Sequence, residues 1–211
     1  MALTNYTELS AAIYAWMLRQ NTDIVVTSGQ IENYVGLCES ELNRELRVRE
    51  LEDTSAIVTV AAQEYVALPA DFKKVGTLEF DSSPFDIQYM TRRKLKELYG
   101  GQSGRPRAFT IYGTRIYFAP TPDAVYNLTL DYFKAIDPLT SGDTTNEIMT
   151  AYPDLYLYGA LKHAFLNVKD LENASAVGQN YNAIIENIKK ADLESRMPNK
   201  LVMKPRNPIA G

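Results

Sequence analysis

Apolar residues recur every three or four positions from Leu9 to Leu46, alternate with polar ones through most of 55–133, and return to the helical spacing after Pro153. One uniform architecture cannot serve both periods, because a helix repeats its face every 3.6 residues and a strand every two. The fold class expected is therefore α+β: a helical bundle built from the N- and C-terminal segments, carrying a predominantly antiparallel β insertion. The expected boundaries are 1–53 with 137–195 for the bundle, 54–136 for the insertion and 196–211 for an extended C-terminal tail.

The bundle has clear start signals. Asn5 with Glu8 three positions on is a capping pair, followed by the stripe Leu9, Ile13, Trp16 and Met17. After a β-branched linker, Asp23 to Thr27, a second cap at Thr27 with Gln30 opens the stripe Ile31, Tyr34, Val35, Cys38, Leu42 and Leu46. This helix is expected to run from Ser28 to Glu52, about 37 Å at 1.5 Å per residue. Its last two turns would be charged almost all round, which points to solvent or a partner subunit. Pro153-Asp154 opens a helix carrying Leu155, Tyr158, Leu161, Ala164 and Phe165. Asp170 caps another, with Val177, Tyr181, Ile184, Ile185 and Ile188 on one face. Pro198, Pro205 and Pro208 forbid its continuation, so the end should be extended and unpacked.

Seven strands are expected in the insertion, forming a small sheet: 55–60, 64–68, 74–80, 85–90, 109–112, 115–118 and 126–133. Asp81 to Pro84 is a turn, and Gly113-Thr114 joins a hairpin. Thr91 caps a short helix with Leu95 and Leu98, which the glycines at 100, 101 and 104 terminate. Those glycines resemble a phosphate-cradling loop only superficially, since no Lys-Ser/Thr follows them.

Catalytic signals are sparse. His163 is the sole histidine and Cys38 the sole cysteine, so a two-His or cysteine-based metal site within one chain is impossible. Cys38, among apolar helix positions, reads as a buried, inert thiol. His163, beside Lys162 and with no nucleophile motif near it, reads as a helix-surface or interface residue. Carboxylate pairs such as Glu8 with Glu64, or Asp71 with Asp86, can be drawn as a glycosidase couple, but 26 acidic residues supply such pairs by chance. No catalytic, cofactor-binding or metal residue is assigned.

A net charge of −4 argues against a protein whose main task is gripping phosphates. No apolar run is long enough for a membrane helix, and the first residues lack the pattern of a secretory signal, so a cytoplasmic origin is expected. Local basic groups remain: Arg92-Arg93-Lys94-Lys96, and Arg105 with Arg107, read first as solvated surface, then as partner contacts, last as phosphate contacts. Tyrosine stands out, 14 residues against one Trp, which favours wet subunit boundaries over catalysis.

The run Asn43 to Glu52, then Tyr65-Val66-Ala67-Leu68-Pro69-Ala70-Asp71-Phe72, Gly104-Arg105-Pro106, Pro120-Thr121-Pro122-Asp123 and Pro153 to Leu161 resembles, in order and spacing, the head-to-tail adaptor (connector, tail accessory) proteins of short-tailed bacteriophages. Where similar proteins often carry Asn-Trp-Leu-Leu, this chain has Asn146-Glu147-Ile148-Met149. The resemblance implies a non-enzymatic virion protein in the neck, assembled in the host cytoplasm. It implies a homo-oligomeric ring, commonly of about twelve copies, docked under the portal protein and offering a platform to a tail tube or nozzle protein. Genomic DNA would pass through without sequence-specific binding, and no membrane is involved. About twelve copies at −4 make an acidic ring of about −48, which suits passage better than binding. Expected partner contacts are Arg44, Arg47 and Arg49 at the end of the long helix, Arg92 and Arg93 in the insertion, and Lys200, Leu201, Met203, Lys204 and Arg206 in the tail. That tail, basic and free of acid, is expected to be mobile in the free subunit and to order on assembly. Two other classes stay open at this stage: a carboxylate-based cell-wall hydrolase of the tail, and a generic protein-interaction module.

Overall fold

The computed structural model describes residues 3–20 and 27–196. In chain order the elements are α1 (Tyr6–Gln20), α2 (Ser28–Glu45), a 3-10 turn (Arg49–Leu51), β1 (Glu52–Val58), β2 (Tyr65–Ala67), β3 (Phe72–Phe80), β4 (Ser83–Asp86), β5 (Gln88–Tyr89), α3 (Arg92–Tyr99), β6 (Ala108–Tyr112), β7 (Arg115–Ala119), β8 (Asn127–Lys134), α4 (Glu147–Ala151), α5 (Pro153–Asn167) and α6 (Leu171–Arg196). The fold is α+β with antiparallel pairing dominant. By contact the chain divides into two compact units, 1–49 with 138–211, and 50–137.

In the helical unit α5 packs against α1, α2, α4 and α6. Its buried residues, Leu155, Tyr156, Gly159, Ala160, Leu161, Ala164 and Phe165, cover most of its circumference, as a central helix requires. Close approach demands Gly159: a Cβ there would stand 2.3 Å from Cys38 Sγ and 2.9 Å from Tyr181 Cε2. Both caps form, with Asn5 Oδ1 accepting from Glu8 N at 3.0 Å and Thr27 with Gln30 making the reciprocal box. The α2 stripe is buried throughout, from Ile31 to Leu46. Trp16 departs from expectation. Leu9, Ile13 and Met17 form the buried line of α1, whereas Trp16 on its shoulder keeps 38% of its surface and sets its ring edge-on to Tyr158.

The helix expected to reach Glu52 stops at Glu45. Leu46 is already extended (φ −85, ψ 128), and Leu46, Val48 and Leu51 are all buried. A helix would turn Leu46 and Val48 to opposite sides, and only an extended segment buries both, with Arg47 and Arg49 alternating between them. α4 was not expected, being too short to show a period. Asn146 Oδ1 accepts from Met149 N at 2.8 Å to cap it, and Ile148 and Met149 are fully buried. α6 runs one residue beyond the expected bundle limit, ending at Arg196, which is ion-paired to Asp192 at 2.7 Å. Tyr158 and Ile184, placed on buried stripes by spacing, are only half-buried, and Tyr156 takes the central place instead. Residues Asp23 to Val26 of the linker, and Lys200, Leu201, Met203, Lys204 and Arg206, lie outside the described residues.

The second unit holds two sheets among the described residues, in place of the one expected, with orders β1-β8-β3-β4 and β2-β7-β6-β5. The expected strand 85–90 is the reason: it breaks at Ile87, so that β4 pairs with β3 while β5 pairs, in parallel, with β6. Buried Ile87 anchors the switch by donating its N–H to Leu78 O at 2.9 Å. The hairpin β6–β7 forms with Tyr112 opposite Arg115, and Gly113 takes the positive φ (+61) that its two-residue turn needs. Between the sheets, Ile57, Leu78, Phe80, Leu128, Leu130 and Tyr132 from one meet Phe109, Ile116 and Phe118 from the other. α3 lies on the outer side of the second sheet, with Leu95 against Ala108 and Ala119; Leu98 stays exposed.

Candidate functional site

Arginines at the end of α2 do not form one basic patch. Arg44 is exposed, whereas Arg47 folds back and donates from Nη1 to the carbonyls of Asn43 and Leu46. That satisfies acceptors which every helix end leaves open. Arg49 is anchored through its backbone, its N–H donating to Asp192 Oδ1 at 3.0 Å.

Arg92 and Arg93 part company at the start of α3. Arg93 points out and pairs with Glu97 at 2.9 Å. The Arg92 guanidinium lies over two rings of the second sheet, 4.5 Å from the centroid of Tyr112 and 4.8 Å from that of Tyr117. Tyr117 in turn packs on Tyr65 at 5.7 Å, and Arg115 lies 4.2 Å over Tyr65. Register explains the assembly: Tyr65 faces Tyr117, and Arg115 sits beside Tyr112, so all share the outer face of the sheet while Ile116 and Phe118 point into the core. Neither Arg92 nor Arg115 has a carboxylate partner among the described residues. Sequence reading reached Arg92 but missed Tyr65, Tyr112, Arg115 and Tyr117. The alternation along the hairpin was the available signal.

Across the core, the outer face of the first sheet is acidic. Asp131 accepts from Thr54 Oγ1 at 3.1 Å and from Thr77 Oγ1 at 2.6 Å, and Asp81 accepts from Thr129 Oγ1 at 2.7 Å. Thr54 pairs with Asp131, and Glu79 with Thr129, so these groups share one face with Glu52 and Glu79.

A polar centre lies inside the helical unit. Glu39 is buried, and its Oε1 accepts from Leu139 N at 2.8 Å and from the Tyr156 hydroxyl at 3.2 Å. Asn146 Nδ2 donates to the same hydroxyl at 2.8 Å. Burial pushes the Glu39 carboxyl up to about 7, the two hydrogen bonds opposing it only in part.

A family model described as the SU10 adaptor protein matches residues 4–203. The chain belongs to that family. No curated protein matches it. The SU10 adaptor is a structural phage protein and a virion component, and the family is not an enzyme family. Several residues that suggested chemistry are held by neighbours within the fold of this adaptor. Lys162 contacts Glu41 and lies 4.4 Å over the Tyr181 ring. His163 Nε2 stands 3.4 Å from Glu41 Oε1, near enough for charge but outside hydrogen-bond geometry. Burial holds its pKa below the ordinary value, with Glu41 opposing, so it is neutral at pH 7. Cys38 is fully buried, and burial raises its thiol pKa far from reactivity. Of the carboxylates considered for hydrolysis, Glu8 accepts from Thr4, and Asp71 accepts from the Tyr132 hydroxyl, whose pKa burial and Asp71 push up to about 12. Among the described residues no group of three or more His, Cys, Asp and Glu can hold a metal ion, and no helix is long and apolar enough to cross a membrane.

Proposed function

We propose that this adaptor works as one subunit of a ring in the virion neck, of about twelve copies, docked under the portal and presenting a platform to the tail. The observation that carries the reading is the family match across residues 4–203, which spans both units of the fold. Charge supports it: subunits of net −4 make a closed ring acidic as a whole, which suits passage of DNA better than holding it. The basic tail segment with Lys200, Leu201, Met203, Lys204 and Arg206 serves as an extended arm to the portal or a neighbour. Mixing the purified chain with its portal and imaging by electron microscopy tests the reading. A closed ring stacked on the portal is the expected outcome, with attachment weakened by truncation after Arg196 and the loss shrinking as salt is raised. A chain that stays monomeric and leaves the portal bare rejects it.

A further inference from the structure

Charge within residues 50–137 is sharply segregated. Residues 91–119 hold seven cations and one carboxylate, whereas the remainder of that unit holds eleven carboxylates and three lysines. Part of each population lies on opposite sides of the two-sheet core, while Arg105 lies over Phe80 and Lys74, opposite Phe133, shares the acidic side. On the outer side of the second sheet lie Arg115 and α3 with Arg92, Arg93, Lys94 and Lys96. On the outer side of the first lie Glu52, Glu79, Asp81 and Asp131.

Four of these charges, Arg92 and Arg115 on one side and Asp81 and Asp131 on the other, are held in position by uncharged partners. The guanidinium groups of Arg92 and Arg115 are laid flat on tyrosine rings, and the carboxylates of Asp81 and Asp131 are gripped by threonine hydroxyls. Hydroxyl donors orient a carboxylate but leave its charge intact, and a ring face orients a guanidinium while leaving its N–H edge open. Each side has thus already lost the side-chain freedom that association normally removes, which lowers the entropic cost of pairing. Tyr112, 62% exposed, adds an apolar contact to the basic side.

We propose that the occupant of the Arg92–Arg115–tyrosine face is a second copy of this chain, which presents its Asp81–Asp131 face. An acidic face and a basic face on opposite sides of one module form a head-to-tail contact, the kind of interface that builds a ring when the rotation between neighbours closes. The proposal rests on the ring reading and specifies which surfaces make the lateral contact. Flat guanidinium edges meeting oriented carboxylates allow bidentate pairs, and like charges placed there by mutation should repel strongly.

Two full-length variants decide it. Arg92→Glu with Arg115→Glu sets carboxylates against the carboxylates of Asp81 and Asp131, and Asp81→Lys with Asp131→Lys sets cations against the guanidinium groups of Arg92 and Arg115. Each alone, shown to be folded by circular dichroism, should associate on the order of a hundredfold more weakly than wild type on the portal, by sedimentation and imaging. Mixed in equal amounts they should assemble again, because an alternating ring restores opposite charges at the substituted positions of every contact. Unimpaired assembly of either variant alone overturns the proposal, as does failure of the mixture to recover. Wild-type chain that forms no ring on its portal removes the ring reading itself, and this pairing with it, which separates the two failures.

Discussion

Glu39→Gln should stabilise the adaptor, and the gain should grow as the solution becomes more alkaline. In the folded protein the carboxyl titrates near 7, above its ordinary 4.5. Between those values the folded state retains a proton that the unfolded chain has released. Stability is therefore full near pH 4.5 and falls as pH rises through 7. At about 1.4 kcal/mol per pH unit the loss has a ceiling of about 3 kcal/mol, and local relaxation brings it to about 1–2 kcal/mol. Glutamine keeps an oxygen for the Leu139 N–H and removes the buried charge. Urea unfolding at several values from pH 5 to 9 is the assay. The variant should match wild type near pH 5 and exceed it by about 1–2 kcal/mol at pH 8 and above. Parallel stability curves for the two proteins, or a weaker variant at pH 8, would refute the assignment of Glu39 as a strained buried acid.

Two further substitutions probe the helical unit. Gly159→Ala drives a methyl group into Cys38 Sγ and the Tyr181 ring, so a loss of about 3 kcal/mol is expected in thermal or urea unfolding, partly recovered by adding Cys38→Ala. His163→Ala should leave subunits that still complete infectious particles, scored by complementation, because the imidazole is neutral and touches only structural neighbours.

Much of the fold was legible because long periodic segments carry their own address. The α2 stripe, both N-terminal caps, the Gly113 hairpin and the α5 and α6 starts are local signals, and local physics realised them. What was lost depended on distant partners. Leu46 and Val48 leave the helical path because both find core contacts, which the charged residues around them conceal. The strand 85–90 splits because its two halves pair with β3 and β6, and no residue within it announces the change of sheet. Arg47 was visible as a cation, yet only the geometry at the end of α2 shows it serving main-chain carbonyls. The tyrosine–arginine face was hidden for a related reason. Its members come from β2, α3, β6 and β7, and only register brings them together.

The first and last strands of the insertion run side by side, with Glu52 opposite Phe133. To the helices a folded insertion is thus a thread of almost no length, its ends about 5 Å apart. Unfolded, the same segment becomes a floppy tether of roughly ninety residues between α2 and the return to the helices, about five doublings of length at about 0.6 kcal/mol each. Melting the sheets therefore costs the helical unit about 3 kcal/mol of closure entropy through the covalent thread alone. Destabilising substitutions anywhere in the insertion will lower the melting of the helices too, even where no side chain connects them.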